Sequence, residues 1–460
     1  MMRDNVSKDV DGQNNAGQAS RIAKLLALFS GYTLITLVDS ILAQYASPRG
    51  VLNGFFFYLV GMSVAAGCLA LFARRIGSLF RRKALLVASG AILSCCSLLA
   101  SLPVPNAILL LVLSLASICS MLLNIAYLEC FTLLPPQTAC WGFVVVVVQT
   151  ALYWLAQALA DAPSASMATL FSLLSSVILI ASARLLQYSR PAGRSRRKMF
   201  RSPGILAGIF LISVGSGYFN YLFMSAPMAS AHEIVQIVSN GVVAALIAAV
   251  GTLHRTRSHL LDFRIIATCM LLAVLTYAFA PSFIAVSSTL IYIGFIYLTY
   301  RALFIAISLC HTSTTPCLRI LGSAQLILLS GQLVFVVSGE PLVQRLLGSA
   351  FTMLAVSSLL VLAFIWLFNE RRLNAFFWGV EDGSTGDFVS KARALAGSAS
   401  LSQREEEVML LFAQGRTSSY IAETMSLSES TVKTHLSHIY KKCDVHSRQG
   451  LISRIEEVAI

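Results

Sequence analysis

The stretch STVKTHLSHIYKK, residues 430–442, contains no acidic side chain and repeats its apolar positions at helical spacing. On a helical wheel of about 100° per residue, Val432, Leu436, Ile439 and Cys443 gather on one side and predict a core-facing stripe. Ser430, Lys433, Thr434, Ser437 and Lys441 form a second, separate stripe. Apart from its two lysines this stripe is short-chained, so the helix backbone can approach another surface closely. Solvated helix faces usually mix Glu with Lys. An acid-free stripe with two ammonium groups is better matched to base edges in a nucleic-acid groove.

The flanking residues supply a frame for that helix. Ser428 is placed to cap it, with Leu427 and Val432 at hydrophobic-staple positions. A scaffold helix over about 418–425 would bury Ile421, Ala422 and Met425. Further back, Ser402 and Glu405 have capping-box spacing, and Gly415 is suited to ending the first helix in the left-handed region. A last helix, about 447–458, presents Leu451, Ile455 and Val458. Residues 401–460 thus predict four short helices.

This segment resembles the LuxR-type helix-turn-helix domain. Arg404-Glu405, Glu407-Val408, Gly415, Ile421-Ala422, Ser428, Thr431-Val432-Lys433, His435-Leu436, Ile439, Lys442, Val445 and Arg448 stand where that family's pattern expects them. Cys443-Asp444 occupies the place of a usual Leu-Gly. The resemblance implies double-stranded DNA as partner, with Lys433, Thr434 and Ser437 at base edges. Lys441, Lys442 and Arg448 are the implied phosphate contacts, and Ser430 and Thr431 complete the candidate set. It also implies homodimerisation through Leu451, Ile455 and Val458; simple packing of those residues on the first helix is the alternative.

Everything before this segment has another character. The chain is 57% hydrophobic and 12% charged, against roughly 45–50% and about 25% in soluble proteins. That composition excludes an ordinary water-soluble enzyme. A spanning helix needs roughly 20 mostly apolar residues. Twelve runs qualify: about 22–43, 51–73, 84–102, 107–127, 141–160, 166–187, 204–226, 234–253, 265–280, 283–310, 319–338 and 347–368. The first is too long for the apolar core of a signal peptide, so it is expected to remain as an anchor.

Loop charge orients the bundle. With the N-terminus inside, the inner loops hold fifteen Lys and Arg and the outer loops only Arg49 and Arg345. The expectation is therefore a bacterial cytoplasmic-membrane protein with both termini cytoplasmic. The net charge of +13 resides in these loops, because the segment from Leu401 onward carries seven basic and eight acidic residues.

The most basic loop, QYSRPAGRSRRKMFRSP, near 188–203, divides the spans into six and six. That arrangement resembles the major facilitator superfamily. In ARRIGSLFRRK (Ala73–Lys83), Arg75, Gly77 and the Arg81–Lys83 run echo that family's loop motif, with Arg74 where an Asp is expected.

Charges inside a bilayer are expensive and mark function unless they lie near helix ends. Lys24, Asp39 and Glu129 are placed near span ends, where snorkelling makes them cheap. Arg301 lies inside the apolar run IYIGFIYLTYRALFIAISLC, or else marks the inner end of a shorter helix. Gly215, Gly217 and Asn220 in VGSGYFNYLF offer a loosened, polar stretch. With Arg301 they form the candidate ligand-sensing set. Gln149, Gln157, Gln236, Asn240, Gln325 and Gln332 serve either a ligand or interhelical hydrogen bonding.

The ten cysteines are scattered, without a CxxC pair or Cys/His clustering, so neither a metal nor another cofactor is expected. Residues 373–400, with Gly379, Gly383, Gly386 and Gly397, read as a linker with helical character around Phe388–Leu395. The expected organisation is an all-α chain: an N-terminal cytoplasmic tail (1–21), a twelve-helix membrane bundle (22–372), the linker, and the four-helix DNA-binding domain (401–460). No acidic receiver-like segment precedes the last domain, which points away from phosphorelay. The functional expectation is a one-component membrane regulator of transcription, not an enzyme. Its partners would be DNA, the lipid bilayer, a second copy of the chain, a small-molecule ligand and RNA polymerase. The competing expectation is a secondary transporter whose C-terminal domain is a regulatory or protein-binding appendage.

Overall fold

The structure is a computed structural model describing residues 2–46, 52–160, 164–185, 209–211, 213–214, 232–253, 260–312, 315–337 and 382–458, apart from 414, 416 and 426. The described residues are helical with connecting turns and contain no strand. The chain divides into two compact units, Met1–Leu373 and Asn374–Ile460.

The first unit contains α1 (Met2–Ala46), α2 (Leu52–Leu71), the short α3 (Ala73–Ile76), α4 (Lys83–Ser101), α5 (Asn106–Phe131), α6 (Pro136–Ala160) and α7 (Ser164–Leu185). Beyond the basic stretch near 188–203, which lies outside the described residues, come α8 (His232–Leu253), α9 (Leu260–Phe279), α10 (Ile284–Thr312) and α11 (Cys317–Val337). Seven stretches among the described residues are long and apolar enough to cross a membrane. They are Ile22–Ala43, Gly54–Leu71, Lys83–Ser101, Asn106–Phe131, Gln137–Leu159, Glu233–Val250 and Ala285–His311. Met167–Ser182 and Cys317–Leu333 are shorter apolar helices. Ten of the twelve expected spans fall on helices. The other two, near 204–226 and 347–368, lie largely or wholly outside the described residues, so twelve crossings are not established. The first helix also continues back to Met2, through the stretch read as a tail.

The bundle is held by small residues and hydroxyls at helix crossings, as expected where lipid offers no hydrophobic drive between helices. Helix α2 meets α11 so closely that a Cβ on Gly322 would stand 2.7 Å from the Ala66 carbonyl oxygen. Ser94 and Ser172 hydroxyls pair at 2.5 Å between α4 and α7. Gln149 of α6 reaches α1, donating to Ser30 Oγ at 2.8 Å and accepting from Thr33 Oγ1 at 2.7 Å. Gln325 of α11 donates to Asn124 Oδ1 of α5 at 3.2 Å. These amides therefore join helices.

Two carboxylates correct the snorkelling expectation. Glu129 is buried and accepts from the Leu79 and Phe80 amides at 2.8 and 3.1 Å, capping the turn that follows α3. Asp39 accepts from Tyr58 Oη at 2.5 Å and from Ser120 Oγ, tying α1 to α2 and α5. Hydrogen bonds from neighbouring elements make these charges tolerable.

The second unit contains α12 (Asp382–Ser398), α13 (Gln403–Ala413), α14 (Ser418–Met425), α15 (Glu429–Lys442) and α16 (Arg448–Glu456). Four of these are the helices expected in 401–460. The fifth, α12, arises from residues read as linker. Its Ala392, Leu395 and Ala396 enter the same core as Val408, Ile421, Val432, Ile439, Leu451 and Ile455. The unit thus has a complete hydrophobic core of its own.

Candidate nucleic-acid interface

Local chemistry sets each helix end of the second unit. Glu405 N–H donates to Ser402 Oγ at 3.3 Å while Ser402 N–H donates to Glu405 Oε2 at 2.8 Å, closing the capping box. Ser428 Oγ accepts from Thr431 N–H at 3.1 Å and starts α15; Ser447 Oγ accepts from Gly450 N–H at 3.0 Å and starts α16. Gly415 turns the chain between α13 and α14 with φ +100°. Asp444 follows α15 with φ +54°, taking the left-handed position where glycine is favoured.

Helix α15 sorts its faces as its periodicity requires. Val432, Leu436, Ile439 and Cys443 are buried. Ser430, Lys433, Thr434, Ser437 and Lys441 are all exposed, in one stripe, and Thr431 is half-buried beside the cap. The Thr434 hydroxyl donates to the Ser430 carbonyl at 3.0 Å, back onto its own helix. Lys433 Nζ lies 3.7 Å from Glu429 Oε1, one helical turn earlier.

The remaining candidates occupy different surroundings. Lys442 Nζ pairs with Glu405 Oε2 at 2.7 Å and donates to the Ser400 carbonyl at 3.2 Å, so its ammonium serves the domain's own architecture. His438 Nδ1 lies 3.7 Å from the other Glu405 oxygen. The Lys442 hydrogen bond is the main reason the Glu405 carboxyl titrates at about 2, aided by the Ser402 amide and opposed by burial. Arg448 Nη2 donates to the Phe412 carbonyl at 2.7 Å, and its guanidinium stacks 4.6 Å from the centre of the Phe412 ring. It staples α16 to the end of α13. Leu451 and Ile455 have no exposed surface, and Val458 packs partly buried against the same core.

Of the ligand-sensing candidates, Gly215, Gly217 and Asn220 lie outside the described residues. Arg301 is buried on α10, which runs on to Thr312, so it lies mid-helix and not at the end of a shorter one. Its guanidinium lies 5.1 Å from the centre of the Phe304 ring. Sequence reasoning passed over Glu429, His438 and the pairing of Glu405 with Lys442. The i, i+4 spacing of Glu429 and Lys433 was a usable signal. Nothing in the sequence pairs residues 405 and 442.

Residues 399–455 match the family model for bacterial regulatory proteins of the luxR family, GerE. Over 52 residues the chain is 48% identical to the uncharacterized response regulatory protein YgeK of Escherichia coli (strain K12), covering 11% of this chain and 35% of that protein. Over 49 residues it is 43% identical to the transcriptional regulatory protein LiaR of Bacillus subtilis (strain 168), covering 11% and 23%. The chain thus spans about a third or less of the length of these curated relatives. Among solved structures, the human organic anion transporter MFSD10 (TETRAN) superimposes with a TM-score of 0.52 at 15% identity, over 75% of this chain and 97% of that one. At that identity the likeness concerns fold alone. The chain therefore joins an N-terminal helical unit whose fold is like that of a solved transporter to a C-terminal segment, residues 399–455, that matches the luxR family model.

Proposed function

We infer that this chain is a one-component transcription regulator of a bacterial cytoplasmic membrane, with both termini in the cytoplasm. The observation that carries the reading is the exposed, acid-free stripe Ser430, Lys433, Thr434, Ser437 and Lys441 on the second helix of a LuxR-family motif, in one chain with a transporter-like bundle. The charge bias of the loops supports a tail on the chromosome side. Lys433, Thr434 and Ser437 read bases, with Ser430 and Thr431 at the entry and Lys441 on phosphate. Lys442 and Arg448 hold the domain in shape and reach phosphate only at its edge.

The DNA-binding domain is near neutral, so a single copy lacks a broad basic field and tight binding calls for pairing of two copies. Leu451 and Ile455 are consumed by the domain's own core, which leaves Val458 and the outer face of α16 for that contact. The bundle, with Arg301 and the 215–220 stretch as candidate sensing elements, takes a small molecule or responds to the membrane. RNA polymerase is the further partner of the DNA-bound dimer, and regulation proceeds without catalysis.

The test is genome-wide footprinting of the intact protein alongside a chimera carrying an unrelated membrane anchor. Sequence-specific footprints in both, with condition-dependent occupancy only in the intact protein, are expected. Absence of specific footprints, together with gradient-driven solute flux by the purified protein in liposomes, would replace this reading with a transporter bearing an appendage.

A further inference from the structure

Glu429 is the first residue of α15 and adjoins the exposed stripe on the side of Lys433. Its Oε1 lies 3.7 Å from Lys433 Nζ and accepts a hydrogen bond from Ser419 Oγ of α14 at 3.2 Å. The carboxylate is therefore held between the two helices of the motif. It is also half exposed, and the Lys433 side chain is two-thirds exposed. Among the described residues both contacts use Oε1, so Oε2 remains an acceptor. An exposed i, i+4 pair contributes little to stability, and a carboxylate facing a polyanion works against non-specific affinity. The pair instead offers a donor and an acceptor side by side at the groove-facing edge.

We propose that Glu429 is a specificity-determining residue that reads, together with Lys433, one G·C base pair in the major groove. The proposal rests on the DNA-reading role inferred above for Lys433. Lys433 donates to guanine N7 and O6, and Glu429 accepts from the cytosine N4 amino group. Guanine O6 and cytosine N4 are hydrogen-bonded to each other and so lie about 2.9 Å apart. The Lys433 ammonium stands 3.7 Å from Glu429 Oε1, with Oε2 on the same carboxyl carbon, so the two groups can reach neighbouring O6 and N4. In an A·T pair the amino group stands between adenine N7 and thymine O4. A carboxylate placed on it would abut a second acceptor whichever side the ammonium took. Ser419, by fixing Oε1, keeps the carboxylate from swinging toward the phosphates.

The experiment is selection from a random duplex library by the 374–460 unit, which has its own core, carried as a dimer on a fused coiled coil, in four forms: unaltered, Glu429→Ala, Lys433→Ala and the double variant. The unaltered unit should prefer G·C by about tenfold or more at one position per half-site. Glu429→Ala should reduce that preference to about twofold and strengthen binding to random DNA, since one negative charge leaves the interface. Lys433→Ala should erase the preference at the same position, and the double variant should lose nothing further there. A Glu429→Ala unit that keeps the full preference, or changes it at a position other than that of Lys433, would overturn the proposal while leaving DNA reading intact. Failure of the unaltered unit to enrich any sequence would overturn the DNA-reading role, and this proposal with it.

Discussion

Lys442 Nζ lies 2.7 Å from Glu405 Oε2, and the same ammonium donates to the Ser400 carbonyl at 3.2 Å. One side chain at the end of α15 thus ties together the buried capping-box carboxylate of α13 and the turn that follows α12. Breaking a pair whose carboxylate is buried leaves that charge uncompensated, which costs more than losing a surface ion pair. Lys442→Met should lower the unfolding free energy of the 374–460 unit by about 1–3 kcal/mol, measured by urea denaturation. A loss of DNA affinity with no loss of stability would return Lys442 to the phosphate contacts.

The same pair sets an acid limit. The Glu405 carboxyl titrates at about 2 in the folded unit against an ordinary 4.5. A depressed folded value means the stabilisation is complete above the ordinary value and disappears as pH falls from about 4.5 toward about 2. Thermal unfolding across that window should show a midpoint falling with pH, and Glu405→Gln should flatten the dependence. An equal slope in both proteins would remove Glu405 as its cause.

Helix α12 should behave as part of the domain. Leu395 is buried in its core, and truncating a buried leucine typically costs about 2–5 kcal/mol. Leu395→Ala should therefore destabilise the 374–460 unit within that range. A fragment beginning at residue 401 should unfold at lower denaturant than one beginning at 374. Equal midpoints for the two fragments would show that α12 adds nothing.

Asp444 holds a left-handed backbone with φ +54°. Asp tolerates that region better than most residues, but glycine enters it without a Cβ penalty. Asp444→Gly should stabilise the unit by up to about 1 kcal/mol, and Asp444→Val should destabilise it by about 1–2 kcal/mol. Denaturation of the two variants checks the sign; stabilisation by valine would refute the conformational argument.

In the membrane unit, Gly322 admits no side chain without moving α2, because its Cβ would stand 2.7 Å from the Ala66 carbonyl oxygen. Gly322→Val should lower the thermal midpoint of the detergent-purified protein. Gly241→Ala, where a Cβ would meet nothing within 4 Å among the described residues, should leave it nearly unchanged. Equal behaviour of the two would mean that the α2–α11 seam accommodates the extra bulk.

Much of this protein is decided locally and could be read without coordinates. Apolar runs of spanning length determine the membrane helices, since an unpaired backbone amide cannot remain in lipid. The caps at Ser402, Ser428 and Ser447 and the left-handed turn at Gly415 depend on neighbours within a few residues. The buried and exposed faces of α15 follow from its 3.6-residue period, which is why Lys433, Ser437 and Lys441 are exposed and Val432 and Ile439 are not. Tertiary structure decided what local periodicity does not carry. Whether Leu451 and Ile455 meet a second chain or their own core depended on α12 and α13 arriving beside them. That Lys442 pairs with Glu405 depended on a partner 37 residues away. Asp39 and Glu129 look cheap from their positions near span ends, yet their donors come from α2, α5 and the turn after α3. In each case the deciding partner is distant along the chain. Sequence periodicity can say which side of a helix is turned inward, but only the fold determines what waits there.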